Sequence, residues 1–337
     1  MLPERPPWGG PGRADTVRAM PPACVIGVDL GGTKLLAGAI DDQLNVHHRA
    51  QRPSAGGDRA AVLDRVVDAV SEAVAAAPGE VLGVGFGIPS LVDRERGIAV
   101  STVHLPIADL PFRDIMAERI GLPVAVDNDA NVAMLAEHRY GAAAGARHAV
   151  LLTIGTGVGS GILADGKLLR GATGCAGELG HMVIDYDGPP CHGNCPNRGC
   201  LEALVSGSAL ARTGREAALA DPGGGLAVAL AAGRPLTGAL VTELAYDGDP
   251  GARSCLHAAG EALGVGISNI VNIFNPEVVV IGGGVIAAGD LLLGPARAVV
   301  AARSLSPSRD VVRVVPARFG AESGMLGAAV MMFEEAG

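Results

Sequence analysis

The sequence predicts an α/β protein of two related lobes that face each other across a cleft. Two glycine-rich turns point to this, D-L-G-G-T-K at 29–34 and I-G-T-G-V-G-S-G at 154–161. Each joins two short apolar runs, and about 125 residues separate them, the mark of an internal repeat. The third observation is the pattern between and beyond them, where strand-length apolar runs alternate with longer runs of helical periodicity.

The elements follow in order. Residues 1–22 are rich in Pro and Gly, carry the lone Trp8 and lack periodicity. A mobile arm is expected there, or an upstream start, because Met20 lies just ahead of the first strand. Residues 23–29 suit a buried strand, and the run 35–40 returns after the first turn. Residues 60–77 put Val62, Val66, Val70 and Val74 on one helical face. The strand 81–88 is interrupted by glycines, which mark the close approach of a ligand or another backbone. A short strand at 123–126 leads into D-N-D-A-N at 127–131, and the helix beyond it stops at Gly141. Strands are expected at 148–154 and 162–164, on either side of the second turn. Residues 201–219 and 226–230 read as helices. The long helix 252–273 carries Ala258, Ala259, Gly260, Gly264 and Gly266, so it packs closely within a lobe or at a subunit seam. A strand at 277–281, the bare turn Gly282-Gly283-Gly284, a helix at 291–302, a strand at 311–316 and a helix at 324–333 complete the chain.

Composition narrows the function. A chain of 337 residues can bury two cores, and 49% hydrophobic content argues against disorder. The net charge of −9 and the lack of a basic stripe argue against nucleic acid as the main partner. No apolar run has transmembrane length and the N-terminus lacks an apolar signal core, so no membrane partner is expected. Cys24, Cys175 and Cys255 are scattered among small residues, which speaks against a disulfide framework and for a reducing cytoplasm. Of 26 basic residues only Lys34 and Lys167 are lysines, and Lys34 closes the first glycine turn.

Five stretches carry chemistry. The turn tip Gly31-Gly32-Thr33-Lys34 offers backbone N–H groups and a hydroxyl to a phosphate, and Asp29 could meet its Mg²⁺. A plain hairpin turn has the same sequence. The turn holding Thr156, Gly157 and Gly159 repeats the shape and is neither a Walker A loop nor a strict dinucleotide fingerprint. With no acidic residue at ribose spacing, hydride transfer is remote. Asn128 and Asp129 stand where a helix begins. Capping needs only one of them, and the helix dipole favours an ionised Asp129 that could take a proton from a hydroxyl. Finally, His181, Cys191, Cys195 and Cys200 form a closed ligand set for zinc within a Gly/Pro-rich loop framed by Glu178 and Glu202. Gly282, Gly283 and Gly284 suit a flat platform for adenosine as well as a tight structural turn. The lone histidines His47, His48, His138 and His257 are expected to be solvated or satisfied rather than catalytic.

These motifs, with G-E-L-G-H at 177–181, the cysteine cluster followed by Leu201-Glu202, and I-G-G-G-V at 281–285, resemble the ROK family of repressors and sugar kinases, its bacterial glucokinases in particular. They fall in the family's order from about residue 24 onward. The resemblance implies an actin/hexokinase-like (ribonuclease H-like) fold of two α/β lobes. The arm would be 1–22, the N-terminal lobe 23–147 and the C-terminal lobe 148–337, with a zinc loop at 181–200 and a final helix free to return to the N-terminal lobe. It implies ATP-dependent phosphorylation of a hexose at its 6-hydroxyl, with Asp129 as base. Asn128, Asp129, Glu178, His181 and Glu202 would hold the sugar, zinc would be structural, and Mg²⁺ would travel with ATP. A dimer or tetramer is expected. Glucose is the expected acceptor, with N-acetylmannosamine, N-acetylglucosamine or fructose as alternatives, because Ile88-Pro89-Ser90 and His104-Leu105-Pro106 depart from the family pattern near the sugar. No helix-turn-helix pattern precedes the first strand, which disfavours the DNA-binding branch and leaves a non-catalytic sugar sensor as the other rival.

Overall fold

A computed structural model describes residues 23–102 and 105–337. The expected arm at 1–22 and His104 lie outside the described residues. The first half of the chain comprises β1 (Cys24–Leu30), β2 (Lys34–Asp41), β3 (Val46–Pro53), α1 (Arg59–Ala75), β4 (Val81–Ile88), β5 (Ser90–Asp93), β6 (Ile98–Thr102), α2 (Phe112–Ile120), β7 (Val124–Asn128) and α3 (Asp129–Tyr140). The second half comprises β8 (Ala149–Ile154), β9 (Val158–Ala164), β10 (Lys167–Leu168), α4 (Leu201–Val205), α5 (Gly207–Ala220), α6 (Gly225–Ala231), α7 (Gly238–Tyr246), α8 (Pro250–Phe274), β11 (Val278–Gly282), α9 (Asp290–Arg303), α10 (Ser308–Val311), β12 (Arg313–Pro316) and α11 (Ser323–Ala336).

Two five-stranded sheets form, in the orders β3-β2-β1-β4-β7 and β10-β9-β8-β11-β12. Both are the same pattern: an antiparallel meander on one side and two parallel strands added beyond the first. The central strands are buried along nearly their whole length, which is why they read as continuous apolar runs rather than alternating ones. Phe86 and Phe112 meet edge to face at 5.2 Å in the core of the first sheet.

One helix lies between the sheets, and a second lies on the first sheet and against that helix. α3 packs on β4 and also on β8 and β9, with Ala130 and Met134 beneath Gly159 and Gly161. α11 lies on β1 and β4 and crosses α3, so closely that a side chain at Gly327 would overlap the Val132 carbonyl. Glu137 of α3 is fully buried and joins the two crossovers. Its carboxylate accepts from the backbone N–H of Ala142, Arg318 and Phe319 at 2.8, 3.1 and 3.0 Å, and from Ser323 Oγ at 3.3 Å.

Several sequence-based boundaries differ. The helix expected over 201–219 is two helices, because Ser206 takes an extended conformation and caps α5 through Ala209 N. β3, β5, β6, α2 and α7 lack a clean period and were not legible. The small-residue face of α8 is used within the lobe, Gly260 and Gly264 against α9 and Gly266 against Leu201. His47, His48 and His138 find Asp41, Glu72 and the Ala146 carbonyl, as satisfied histidines do.

Candidate active site

The first turn is a tight one, closed by the Gly31 N–H on the Lys34 carbonyl at 2.9 Å. It leaves Thr33 and Lys34 exposed at the tip. Asp29 ends the strand behind it, and the chain approaches it from α11, where a Cβ on Gly324 would lie 2.6 Å from Asp29 Cγ. Only glycine leaves that carboxylate its space. Burial pushes the Asp29 carboxyl up to about 7; the charge of Asp129 adds to the rise and Lys34 opposes it.

Asn128 is the N-cap of α3, its Oδ1 accepting from Ala130 N at 3.0 Å and Asn131 N at 3.3 Å. Its amide also donates to the Ser90 carbonyl at 3.2 Å, which leaves one of its two amide hydrogens for a ligand. Asp129 follows, half-buried, with Oδ1 accepting from its neighbour Ala130 N at 2.8 Å. The helix dipole alone would favour its charge. Burial outweighs that help and, together with the charge of Glu178 and against the Ala130 N–H, raises the carboxyl to about 6. Asp29, Asp129 and Glu178 are thus electrostatic neighbours. Burial also raises Glu178, with His181 opposing and Glu202 adding.

The second turn is built against two other segments. Gly283, with φ of +81°, packs on the backbone of Ile154, so Gly282, Gly283 and Gly284 lie beside the turn that holds Thr156. The N-terminus of α5 completes it: Gly207 N donates to the Gly155 carbonyl at 2.8 Å and Ser208 Oγ to the Thr156 carbonyl at 2.9 Å. Beyond Gly284 the chain forms a 3-10 turn before α9 rather than a helix directly.

The cysteine loop folds back through isolated bridges pairing Val183 with Cys200 and Pro190 with Arg198. His181, Cys191, Cys195 and Cys200 converge, with all four ligand atoms within 4.8 Å of one another. Tetrahedral zinc with bonds of about 2.3 Å to sulfur places sulfurs about 3.8 Å apart. Cys195 and Cys200 stand 3.9 Å apart, and Cys191 Sγ lies 3.5 Å from His181 Nδ1. Burial pushes both the Cys191 and Cys200 thiols up; Cys200 and Cys195 add to the rise at Cys191, while at Cys200 the contact with Cys191 opposes it and Cys195 adds to it, and a divalent cation removes this penalty. The donor set fits zinc. The other nitrogen of His181, Nε2, faces Glu178 Oε2 at 3.7 Å. Glu202, in the first turn of α4, connects this loop to the second turn. Its Oε2 accepts from Val158 N at 2.8 Å, and its Oε1 lies 3.6 Å from Cys191 Sγ.

The structure thus brings Asp29, Asp129, Glu178, His181 and Glu202 into one region, with the metal ligands behind them. Ser208, Gly324, Asp127 and Arg170 belong to it and were missed by sequence reasoning. Only Asp127 left a trace there, as the second acid of D-N-D.

Comparison with known proteins agrees with the geometry. A model of the ROK family matches residues 25–335. The chain is 36% identical over 312 residues to a glucokinase of Halalkalibacterium halodurans, covering 90% of this chain and 92% of the relative. It is 35% identical over 322 residues to a glucokinase of Thermotoga maritima, covering 94% of this chain and 100% of the relative. A ROK family glucokinase from Streptomyces griseus, solved in complex with glucose and AMPPNP, has a TM-score of 0.81 at 31% identity, covering 92% of this chain and 99% of that one. With the family model spanning both sheets and the fold shared, this chain belongs to the ROK family.

Proposed function

We propose that this chain transfers the γ-phosphoryl group of ATP to the 6-hydroxyl of glucose. The observation that carries the reading is Asp129. It is a half-buried carboxylate at the start of α3, beside Asp29 and Glu178, whose raised carboxyl of about 6 suits a base working near neutrality. The glucokinase relatives support glucose as acceptor.

In this reading Asp129 takes the proton of the 6-hydroxyl while the oxygen bonds to the γ-phosphorus and the bond to the ADP oxygen breaks. Asn128, Glu178, His181 and Glu202 hold the remaining hydroxyls. The amides of Gly32, Gly157 and Gly159, the hydroxyls of Thr33 and Thr156, and Lys34 hold the phosphates, and Gly31, its own N–H closing the turn on Lys34, lets the backbone come close. Gly282, Gly283 and Gly284 support the adenosine. Mg²⁺ bound with ATP neutralises phosphate charge, and Asp29 is the residue that would meet it. His181, Cys191, Cys195 and Cys200 would hold zinc, which would keep the sulfurs as thiolates and cross-link the loop, leaving His181 Nε2 facing Glu178.

The test is ADP release from ATP and Mg²⁺ with glucose, mannose, fructose, N-acetylglucosamine and N-acetylmannosamine. Strong turnover with glucose is expected. Preference for an N-acetylated sugar would replace the acceptor, and no turnover from folded, zinc-loaded protein would overturn the kinase reading.

A further inference from the structure

Asp127 precedes the Asn128-Asp129 pair and is 1% exposed. Both of its carboxylate oxygens are engaged. Oδ1 accepts from Asn128 N at 2.8 Å and from Asn131 Nδ2 at 3.0 Å. Oδ2 accepts from Arg170 Nε at 2.8 Å. β7, which carries Asp127, is an edge strand of the first sheet. Arg170 lies two residues beyond the end of β10, an edge strand of the second. The pair therefore ties one sheet to the other beside the reacting groups.

Arg170 also opens the segment that carries Glu178. Its carbonyl accepts from Ala176 N at 2.9 Å, which closes the loop 170–176. Gly171, Gly174 and Gly177 have φ of +73°, +81° and +94°, so the backbone there has little stiffness of its own. It is held at its ends. At one end Ser160 Oγ bonds the Gly177 carbonyl and accepts from Leu179 N at 3.2 Å. At the other, Arg170 bonds Asp127. Asp129 follows β7 of the first sheet and Glu178 lies in the segment after β10 of the second, and this ion pair sits at the root of both segments.

We infer that Asp127 and Arg170 are a positioning pair, which sets Asp129 against the acceptor hydroxyl by locking the Asn128-Asp129 turn to the Glu178 segment. The inference rests on the kinase reading for its activity test alone. A second arginine makes the pair testable without unfolding. Arg94 Nε lies 3.7 Å from the same Asp127 oxygen, while its guanidinium is paired with Glu335 at 2.6 Å. Removing Arg170 leaves Asp127 with a cation nearby, so the cost of an uncompensated buried charge is avoided. What is lost is the tie between the sheets.

The experiment compares wild type, Arg170→Lys, Arg170→Met, Asp127→Asn and the Asp127→Asn/Arg170→Met double variant. Each is checked for melting temperature and zinc content, then assayed for kcat and for KM of both substrates. Arg170→Met is expected to lower kcat about tenfold or more with the KM for ATP unchanged, as a misplaced transition-state group does. Arg170→Lys should recover part of the loss. The double variant should be no worse than the poorer single, because the two residues act as one unit. Amide hydrogen exchange in the same variants should rise at 128–131 and 177–179 while α8 stays protected. Wild-type turnover with every variant within threefold of it in kcat would overturn the inference. So would exchange unchanged at both segments, or losses that track melting or zinc. If wild type turns over no sugar, the kinase reading fails, and the exchange measurement still decides the pair.

Discussion

The Val158 amide donates to Glu202 Oε2 at 2.8 Å, so a single carboxylate holds both the second glycine turn and the cysteine loop. Gly157 makes the contact possible, since a Cβ there would overlap the Glu202 carboxylate. Gly157→Ala should therefore disturb both substrates at once, raising the KM for ATP and for sugar by severalfold. A change confined to ATP, in steady-state kinetics, would show that the two regions are independent.

The metal loop should act through the sugar side. Cys195→Ser removes one of four ligands, which lowers zinc content and raises sugar KM while the sheet cores stay folded. Zinc analysis and kinetics on the same preparation check this; full zinc with unchanged KM would separate the cluster from the pocket.

Asp129→Asn should keep sugar binding and lose about 10²-fold or more in kcat. It should also stabilise. The folded Asp129 carboxyl, at about 6, holds its proton more tightly than in the unfolded chain, so its effect on stability becomes unfavourable as pH rises from about 4 through about 6. The variant should melt higher than wild type at pH 8 and alike near pH 4. Calorimetry at both pH values checks the sign.

The same carboxyl sets an acid limb. With Asp129 as the base of the free enzyme, kcat/KM should fall about tenfold per pH unit below about 6. Lys34 lowers the Asp29 carboxyl, so Lys34→Met should raise it further above about 7 and move any limb that Asp29 contributes to higher pH. A pH–rate profile flat down to pH 5 would remove Asp129 from this role.

Gly324→Ala should separate stability from activity. In the first turn of α11 alanine is favoured over glycine by about 0.5–1 kcal/mol, yet its Cβ would lie 2.6 Å from Asp29 Cγ. The expected result is a melting temperature near wild type with kcat lowered about tenfold, and a larger Mg²⁺ requirement. Normal kinetics would show that Asp29 tolerates displacement.

Much of this was legible before any coordinates. The strands β1, β4, β8 and β11 are buried on both faces, so each appears as an unbroken apolar run. The cysteine ligands lie within ten residues of one another, so their spacing alone shows a metal set. β3 was hidden because it is an edge strand with H-H-R-A-Q-R in its middle, and α7 because its flanks resemble a loop.

The sequence by itself determined the repeated strand-turn-strand units, the zinc set and the acidic helix start, because turn chemistry, burial runs and ligand spacing are local properties. Only the tertiary structure decided that Glu202 spans turn and loop, that Gly324 makes room for Asp29, that Arg170 reaches Asp127, and that burial raises Asp129 despite its helix. These depend on residues 43 to 295 positions apart, or on the dielectric around a side chain, and neither has a local signature.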